Sequence, residues 1–231
     1  MKSISVILPI FNEKKSLLHV VEAWSAFFLE HKIEHEILLC EDGSTDGTKE
    51  LIIQICQDHN AVNLSTLERR GYGGGVIAGI NAASKELILS IDSDGQCMPD
   101  SFMDIYNIEK SSDIVIGIRA PRHDPIVRRI YSFLFLGLFR LLFRGNIKDP
   151  SCPYVLAKKE VFMELMPYLK MKEGFWWCFI GAATKLNKNI NQCNIIHYER
   201  YDGSTVVYKL SRMPSIIIRN ILGLIMLRLS K

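Results

Sequence analysis

The residues of this sequence best suited to chemistry are two aspartates, Asp92 and Asp94, separated by Ser93. They directly follow the apolar run 86–91, whose Leu and Ile content is typical of a buried strand in an α/β sheet. Ligands bind at the carboxyl ends of such strands, and Mg²⁺ or Mn²⁺ prefers carboxylate oxygens, particularly when a diphosphate completes its coordination shell. Asp, Ser and Gly are also common turn formers, so a simple turn is the competing interpretation. The Asp-x-Asp pair thus suggests a metal–nucleotide site that needs support from the rest of the chain.

The first half of the chain alternates between strand-like and helix-like segments that would position these aspartates. Helical periodicity is predicted over 16–29 and 49–56. Strand-like runs separate these and further helix-length segments, at residues 4–9, 36–40, 62–67, 87–91 and 114–118. Such alternation indicates right-handed β-α-β units, and therefore an α/β fold with a mostly parallel sheet flanked by helices.

The second half is dominated by two long apolar helical patterns, over 126–143 and 215–231. The uninterrupted apolar run 130–139 is about half of the ~20 residues needed to cross a bilayer, so an interfacial or core helix is expected. The stretches 119–148 and 200–231 each hold one acidic residue among several basic ones, a composition suited to anionic lipid headgroups. A pair of core helices or a dimer surface is the alternative. A further strand is predicted over 193–198.

Composition narrows the class of protein. A chain of 231 residues with 48% hydrophobic content can bury one sizeable core, so one α/β domain with an extension is expected. A net charge of +3 is too small to argue for nucleic-acid binding. The six cysteines include no Cys-x-x-Cys pair, which favours neither a zinc site nor a disulfide framework and indicates a reducing compartment. The apolar run after Met1 is too short for an export signal, so a first strand is expected there.

Motifs at three predicted strand ends carry a resemblance to a known family. They are 6–13, which includes Pro9, Phe11, Asn12 and Glu13; 40–48, which includes Glu41 and Asp42; and 92–96. Together with the Gly-rich stretch 69–83 and Gly117-Ile118-Arg119, they resemble the family 2 glycosyltransferases of the A-type nucleotide-sugar fold. Within that family the chain is most similar to the dolichyl- and polyprenyl-phosphate sugar transferases, on the evidence of Arg119, Arg128 or Arg129, Asp149 and the segment 197–205.

The resemblance implies a donor site for a UDP- or GDP-sugar. It assigns the base and ribose pocket to Pro9, Phe11, Asn12, Glu13, Glu41 and Asp42. The Gly71–Gly75 segment, including Gly73, is expected to be a flexible loop, because glycines let the backbone approach the nucleotide or sugar. Asp94 is expected to bind Mg²⁺ or Mn²⁺ directly, while Asp92, beside Ser93, contacts the ribose or the water shell of the metal. Gln96 would assist at the diphosphate. A dinucleotide-binding interpretation of the glycines is rejected, because the third glycine and a ribose carboxylate are missing.

The resemblance also implies a polyprenyl phosphate acceptor. Its phosphate would be bound by Arg119, Arg128 or Arg129, and Arg200. Positive side chains are needed there because a phosphate dianion must approach a negatively charged diphosphate. Such an acceptor is already nucleophilic, so no general base is required and the anomeric carbon would be attacked with inversion. Asp149 could act as a base for a hydroxyl acceptor, orient the sugar or an arginine, or simply form a turn before Pro150.

Two departures from the family pattern put the acceptor in question. Many relatives carry an acidic residue after the Gly-Phe pair, where this chain continues Gly174-Phe175-Trp176-Trp177, an aromatic group expected near the acceptor or sugar, or in the core. Many lipid-phosphate members also have a lysine after Gly-x-Ser, where this chain has Gly203-Ser204-Thr205-Val206. Three hypotheses therefore stay open: transfer to a polyprenyl phosphate, transfer to a hydroxyl of a growing glycan, and a non-catalytic nucleotide-sugar-binding membrane adaptor.

The expected organisation is a catalytic domain over 1–210, with a nucleotide-binding half (1–118) and an acceptor half (119–210), followed by an amphipathic helix over 211–231. The preferred hypothesis places it in the cytoplasm, peripherally bound to the inner face of the membrane, with a homodimer as a further option.

Overall fold

The computed structural model describes residues 2–66, 68–120, 126–143, 145–169, 174–201 and 213–230, without the side chains of 126–129 and 213–214. The strands in this part of the chain are β1 (Ile4–Ile10), β2 (His35–Glu41), β3 (Ala61–Asn63), β4 (Leu87–Ser90), β5 (Ile114–Arg119), β6 (Val155–Lys158) and β7 (Ile190–Ile195). The α-helices are α1 (Leu17–Glu30), α2 (Thr48–Asp58), α3 (Tyr72–Ala82), α4 (Phe102–Glu109), α5 (Ile126–Leu142), α6 (Lys159–Leu165), α7 (Phe175–Lys185) and α8 (Met213–Leu229).

The strands form one seven-stranded sheet in the order β3-β2-β1-β4-β6-β5-β7. β1 pairs in parallel with β2 and β4, β2 with β3, and β5 with β7, whereas β6 is antiparallel to both of its neighbours. Because β4 and β5 both oppose β6, six strands run in one direction. The predicted α/β fold with a mostly parallel sheet is confirmed.

Apolar residues cover both faces of the sheet, as burial under helices on both sides requires. Ile4, Val6, Leu8 and Ile10 of β1 belong to a core shared with α1, α2 and α4, while Ile7 belongs to the opposite core with α3 and α5–α8. This alternation follows from the two-residue period of a strand. The sheet is therefore the middle of three layers.

The predicted helix over 16–29 is present as α1, and its buried side chains recur at helical spacing as Leu17, Val20, Val21, Trp24 and Phe28. The predicted helix over 49–56 is present as α2.

The Gly-rich segment is not the flexible loop that the sequence suggested, because it forms the first turns of α3. Its glycines allow this helix to lie directly on the sheet. A Cβ atom on Gly79 would stand 2.6 Å from Ile7 Cγ2 and 2.9 Å from Cys40 Sγ, and one on Gly75 would stand 3.6 Å from the Cys40 carbonyl oxygen. The glycines thus serve helix–sheet packing, which a backbone without side chains permits.

Two strand predictions were displaced and one strand was missed. β3 covers only 61–63, because the Asn63 side chain accepts hydrogen bonds from Ser65 and turns the chain. The strand expected over 193–198 is Ile190–Ile195, whose adjacent polar residues Asn191 and Gln192 at the sheet edge hid it from an apolar pattern. β6 was not predicted, since its four residues run directly into α6 at Lys159 with no turn signal between them.

The long helices predicted over 126–143 and 215–231 are present as α5 and α8. They contact each other, and α8 also packs on α7. Phe139 and Leu224 face the core, whereas Phe133 (75% exposed) and Met226 (66%) face outward. None of the helices in the described ranges combines the length and the apolar character that crossing a bilayer requires.

We expect Gly79→Ala to lower the free energy of unfolding by about 1–3 kcal/mol, because the new methyl group overlaps the fully buried Ile7 and forces α3 away from β1. Urea denaturation followed by circular dichroism measures this.

Gly137→Ala is the matched control, because Gly137 lies inside α5 and, among the described residues, no atom beyond its chain neighbours and the helix backbone comes within 4 Å of the added Cβ. Alanine has a higher helix propensity than glycine, so this substitution should raise the free energy of unfolding by up to about 1 kcal/mol. Equal effects of the two substitutions would contradict the packing role of Gly79.

Candidate active site

The topology brings the predicted site residues to one edge of the sheet. The carboxyl ends of the parallel strands β1, β2, β4, β5 and β7 lead into 11–13, 41–42, 91–94, 119 and 196–200. β6 runs in the opposite direction, so the segment that leads into it, which contains Asp149, reaches the same edge. Residues far apart in the chain thereby share one site.

The loop that carries Asp92 and Asp94 is tied to its neighbours by hydrogen bonds. Ser93 Oγ donates to the carbonyl of Pro9 at 2.7 Å, which attaches the loop to β1. The backbone N–H of Gln96 donates to Asp94 Oδ1 at 3.1 Å, and its side-chain amide donates to the carbonyl of Tyr198. Ser93 and Gln96 therefore shape the loop, and Gln96 uses its amide nitrogen for the 198–201 segment.

Burial raises the pKa values of both aspartates, and the charge of Asp94 raises that of Asp92 further. Desolvation first and the charge of Asp94 second raise the pKa of Asp92 to about 7, although a hydrogen bond from Tyr72 and the charges of Arg119 and Arg200 oppose the shift. Desolvation also raises the pKa of Asp94, which is 8% exposed. A bound cation would relieve this repulsion.

Arg200 supplies positive charge to the same cluster. Its guanidinium forms an ion pair with Glu13 Oε1, and its Nε lies 4.0 Å from Asp94 Oδ2. Desolvation raises the pKa of Glu13, while Arg200 and a hydrogen bond from Ser16 oppose that shift. Arg200 therefore links the strand ends of β1 and β4.

An aromatic ring, a guanidinium and a carboxylate lie together at the ends of β1 and β2. The guanidinium of Arg69 stands 3.6 Å from the centroid of the Phe11 ring, and its Nε lies 3.6 Å from Asp42 Oδ2. Asp42 also accepts hydrogen bonds from the backbone N–H groups of Arg70 (2.5 Å) and Gly71 (3.0 Å). The sequence analysis assigned no role to Arg69. The available signal was its position in Arg69-Arg70-Gly71, after β3.

Three predicted nucleotide-binding residues do not line the cavity. Asn12, in a left-handed conformation (φ 57°), accepts a hydrogen bond from the backbone of Thr45. Glu41 is fully buried and accepts from the backbone of Ser44, and Gly73 is buried in the first turn of α3. These residues position the loops around the pocket.

Arg119 and Asp149 form a two-point ion pair. Arg119 Nε lies 2.7 Å from Asp149 Oδ2, and the guanidinium Nη2 lies 2.8 Å from Oδ1. Burial lowers the pKa of Arg119, but the hydrogen bonds and charge of Asp149 outweigh it and hold the pKa above its ordinary value. Of the roles expected for Asp149, the orientation of an arginine is the one that this geometry provides.

One cavity of about 600 Å³ joins the charged strand ends to an apolar region. Its charged end is lined by Glu13, Asp42, Asp92, Asp94, Arg119 and Arg200. Its apolar end is lined by side chains of α5 and α8, including Leu134, Phe135, Ile217 and Ile221. Lys148 also lines the cavity, a residue that sequence reasoning did not single out although it adjoins Asp149.

The predictions for two arginine side chains and for one segment fall outside the part of the chain that the structure describes. The side chains of Arg128 and Arg129 lie outside the described residues, and so does the segment Gly203-Ser204-Thr205.

The acidic residues fit a divalent cation that a substrate helps to hold. Among the described residues, no three His, Cys, Asp or Glu side chains are grouped closely enough to bind a metal by themselves. Mg²⁺ and related ions commonly use one or two carboxylates and complete their shell with substrate phosphates and water. Asp92 and Asp94 in a cavity that also contains positive groups match that donor set.

A mostly parallel sheet with acidic residues after β1, β2 and β4, beside a cavity of this size, is the architecture of a glycosyltransferase of the A-type fold. The chain belongs to glycosyl transferase family 2, whose family model matches residues 5–166. The resemblance expected from the sequence is thereby confirmed.

Similar proteins include undecaprenyl-phosphate 4-deoxy-4-formamido-L-arabinose transferases of Yersinia pestis (strain Pestoides F) and Yersinia pseudotuberculosis (serotype O:3, strain YPIII). Each is 25% identical to this chain over 219 residues, which are 94% of this chain and 65% of the relative. The chain thus spans somewhat less than two thirds of the length of these curated relatives.

Among solved structures, glucosyl-3-phosphoglycerate synthase from Mycobacterium tuberculosis in complex with Mn²⁺, UDP and phosphoglyceric acid superposes with a TM-score of 0.75 at 17% identity, covering 100% of this chain and 80% of that one. The same enzyme with Mn²⁺, UDP-glucose and phosphoglyceric acid gives 0.73 at 19% identity, covering 98% and 80%. At these identities the likeness shows the fold.

The raised pKa of Asp92 predicts that the stability of the metal-free protein falls as the pH rises. Its folded-state pKa of about 7 lies above the ordinary 3.8, so its contribution to stability is complete below about pH 4 and is lost as the pH rises through about 7. We expect Asp92→Asn to gain stability relative to the native protein between about pH 5 and pH 8. Denaturant unfolding in the presence of a chelator measures the difference, and parallel pH profiles would contradict the shift.

Proposed function

We propose that this chain is an inverting, divalent-metal-dependent glycosyltransferase that moves a sugar from a UDP- or GDP-sugar to a polyprenyl phosphate at a membrane surface. The names of the Yersinia relatives and the Mn²⁺ and UDP-glucose bound to the solved neighbour support this choice.

The observation that carries the proposal is the continuity of the cavity. Its charged end suits a nucleoside diphosphate with a cation, and its apolar end between α5 and α8 suits a hydrocarbon chain. A phosphate attached to a polyprenyl chain would need this combination, with the phosphate at the charged end and the chain along the apolar wall. A polar glycan would gain little from that wall.

On the donor side, Asp94 and Asp92 would hold Mg²⁺ or Mn²⁺. The cation would offset the charge that develops on the departing nucleoside diphosphate. The base would lie by Phe11 and Arg69, with Asp42 as an acceptor for its N–H groups.

On the acceptor side, Arg119, Arg200 and Lys148 would hold the phosphate. The Arg119 side chain is only 11% exposed, and its ion pair with Asp149 fixes its orientation. The N–H groups of Arg119 that do not bind Asp149 therefore point in a set direction. Arg128 and Arg129 remain predictions for this role.

The reaction needs no general base from the chain. An oxygen of the acceptor phosphate forms a bond to the anomeric carbon while the bond from that carbon to the nucleoside diphosphate oxygen breaks, and the diphosphate leaves with the electron pair. The configuration at the anomeric carbon is inverted.

Transfer to a sugar hydroxyl is the second candidate, with Asp149 as the base. The geometry disfavours it, because both Asp149 oxygens already accept charge-assisted hydrogen bonds from Arg119, which weakens a carboxylate as a proton acceptor. A non-catalytic adaptor is the third, and it predicts binding without turnover.

Membrane contact is part of the proposal. The outward faces of α5 and α8 expose large apolar residues, among them Phe133, Leu141, Met226 and Leu229. The basic side chains on these helices suit anionic headgroups. The division of the chain remains a prediction, with a donor half 1–118, an acceptor half 119–210 and a helix 211–231. The location at the cytoplasmic membrane face and the homodimer also remain predictions.

The direct test is turnover by purified protein with Mn²⁺, a panel of UDP- and GDP-sugars, and either undecaprenyl phosphate or glycan acceptors. We expect release of nucleoside diphosphate that depends on the lipid phosphate and on the metal. Release only with a hydroxyl acceptor would favour the second candidate, and nucleotide binding without release would favour the third.

In the same assay, Asp94→Asn should lower turnover at least a hundredfold, because it removes a charged metal ligand next to the leaving group. Wild-type turnover in this variant would overturn the assignment of the metal site.

The apolar wall makes a separate prediction. Leu134→Glu should raise KM for undecaprenyl phosphate about tenfold, because a charge replaces a side chain that lines the cavity, while UDP binding stays unchanged. Steady-state kinetics in detergent micelles measures both.

Leu29→Glu is the matched control, since Leu29 is 71% exposed on α1, on the other side of the sheet. Equal KM changes in the two variants would contradict an acceptor chain along α5.

A further inference from the structure

The side chain of Tyr72, in the first turn of α3, connects two parts of the cavity. Its Oη lies 2.8 Å from Asp92 Oδ1 and 2.8 Å from Trp176 Nε1. Asp92 follows β4 in the proposed donor half, and Trp176 lies in the first turn of α7 in the proposed acceptor half. A chain of two hydrogen bonds therefore runs from α7 to the carboxylate of Asp92.

The direction of both hydrogen bonds is fixed by chemistry. An indole N–H only donates, so the hydroxyl oxygen of Tyr72 accepts from Trp176. The single proton of that hydroxyl is then directed to Asp92, because a carboxylate that holds a cation is ionised and only accepts. Asp92 Oδ1 is thus engaged by Tyr72, and Oδ2 is the oxygen left for a cation or a ribose hydroxyl.

Both members of the chain are held by their surroundings. Trp176 is 4% exposed and packs edge-on against Phe175 (centroids 4.9 Å apart) and Phe179 (5.8 Å). Tyr72 follows Gly71, whose positive φ of 74° starts the helix and whose N–H donates to Asp42. The hydroxyl of Tyr72 is therefore placed from both sides before any ligand arrives.

We infer that Tyr72 and Trp176 are positioning residues for the metal–nucleotide site. Tyr72 fixes the rotamer of Asp92, and Trp176 acts on Asp92 only through Tyr72. Partners of this kind commonly change metal affinity 10–100-fold when removed. The inference rests on the proposed function, because it assumes that Asp92 meets a metal-bound nucleotide.

The test measures UDP and GDP binding by calorimetry, with saturating Mn²⁺ and with a chelator, for Tyr72→Phe, Trp176→Phe and the double variant. We expect Tyr72→Phe to weaken Mn²⁺-dependent nucleotide binding about tenfold and to leave metal-free binding unchanged. Trp176→Phe should weaken it about threefold in the native background and not at all in the Tyr72→Phe background. A merely structural role would not produce this metal dependence or this non-additivity.

Trp177→Phe is the matched control on the same helix. Its indole Nε1 is buried and has no hydrogen-bond partner within the described part of the chain. The substitution removes the same aromatic volume without removing a hydrogen bond, so Mn²⁺-dependent affinity should stay within about twofold.

The outcomes separate the inference from the proposed function. If the native protein binds neither nucleotide with Mn²⁺, the proposed function fails. If it binds and Tyr72→Phe binds equally well, the positioning role is overturned; this variant loses one hydroxyl at a residue that is 38% exposed, so its fold is retained. If Trp176→Phe has the same effect in both backgrounds, or Trp177→Phe matches it, the link through Tyr72 is overturned.

Discussion

Two carboxylates one residue apart repel each other, and the surroundings of Asp92 and Asp94 are organised to compensate. Arg200 lies beside Asp94, Arg119 contributes from β5, and Tyr72 donates a hydrogen bond to Asp92. These groups only partly offset the unfavourable energy of holding two charged carboxylates together, since the pKa of Asp92 still rises to about 7. A site that keeps such an electrostatic cost is suited to a divalent cation, because the cation removes it.

The sheet topology makes this compensation possible. Parallel strands place their carboxyl ends at one edge, and the reversal of β6 adds Asp149 to that edge, opposite Arg119. The same edge opens into a cavity whose far wall is apolar and formed by α5 and α8. Charge and apolar surface therefore meet within one space, which is the physical basis for proposing an acceptor that is both a phosphate and a lipid.

The sequence predicted the sheet, both long apolar helices and the acidic strand ends, because each of these has a strong local signal. It was wrong about the Gly-rich segment, since a helix that packs on β1 through Gly79 and a flexible loop require the same small residues. It placed the last strand three residues late, because Asn191 and Gln192 interrupt the apolar pattern at a sheet edge. It gave Arg69, Tyr72 and Lys148 no role, since their functions depend on contacts with distant residues.

The order of motifs along the chain by itself determined the family and the identity of the acidic pair, because residue type and spacing after apolar runs are local properties. Only the tertiary structure decided what each charged group faces. It directed Arg119 to Asp149, Arg200 to Glu13, and the indole of Trp176 to Tyr72. The physical reason is that charges and hydrogen-bond donors act over a few ångströms, and the fold brings to that distance residues that are 30 to 187 positions apart.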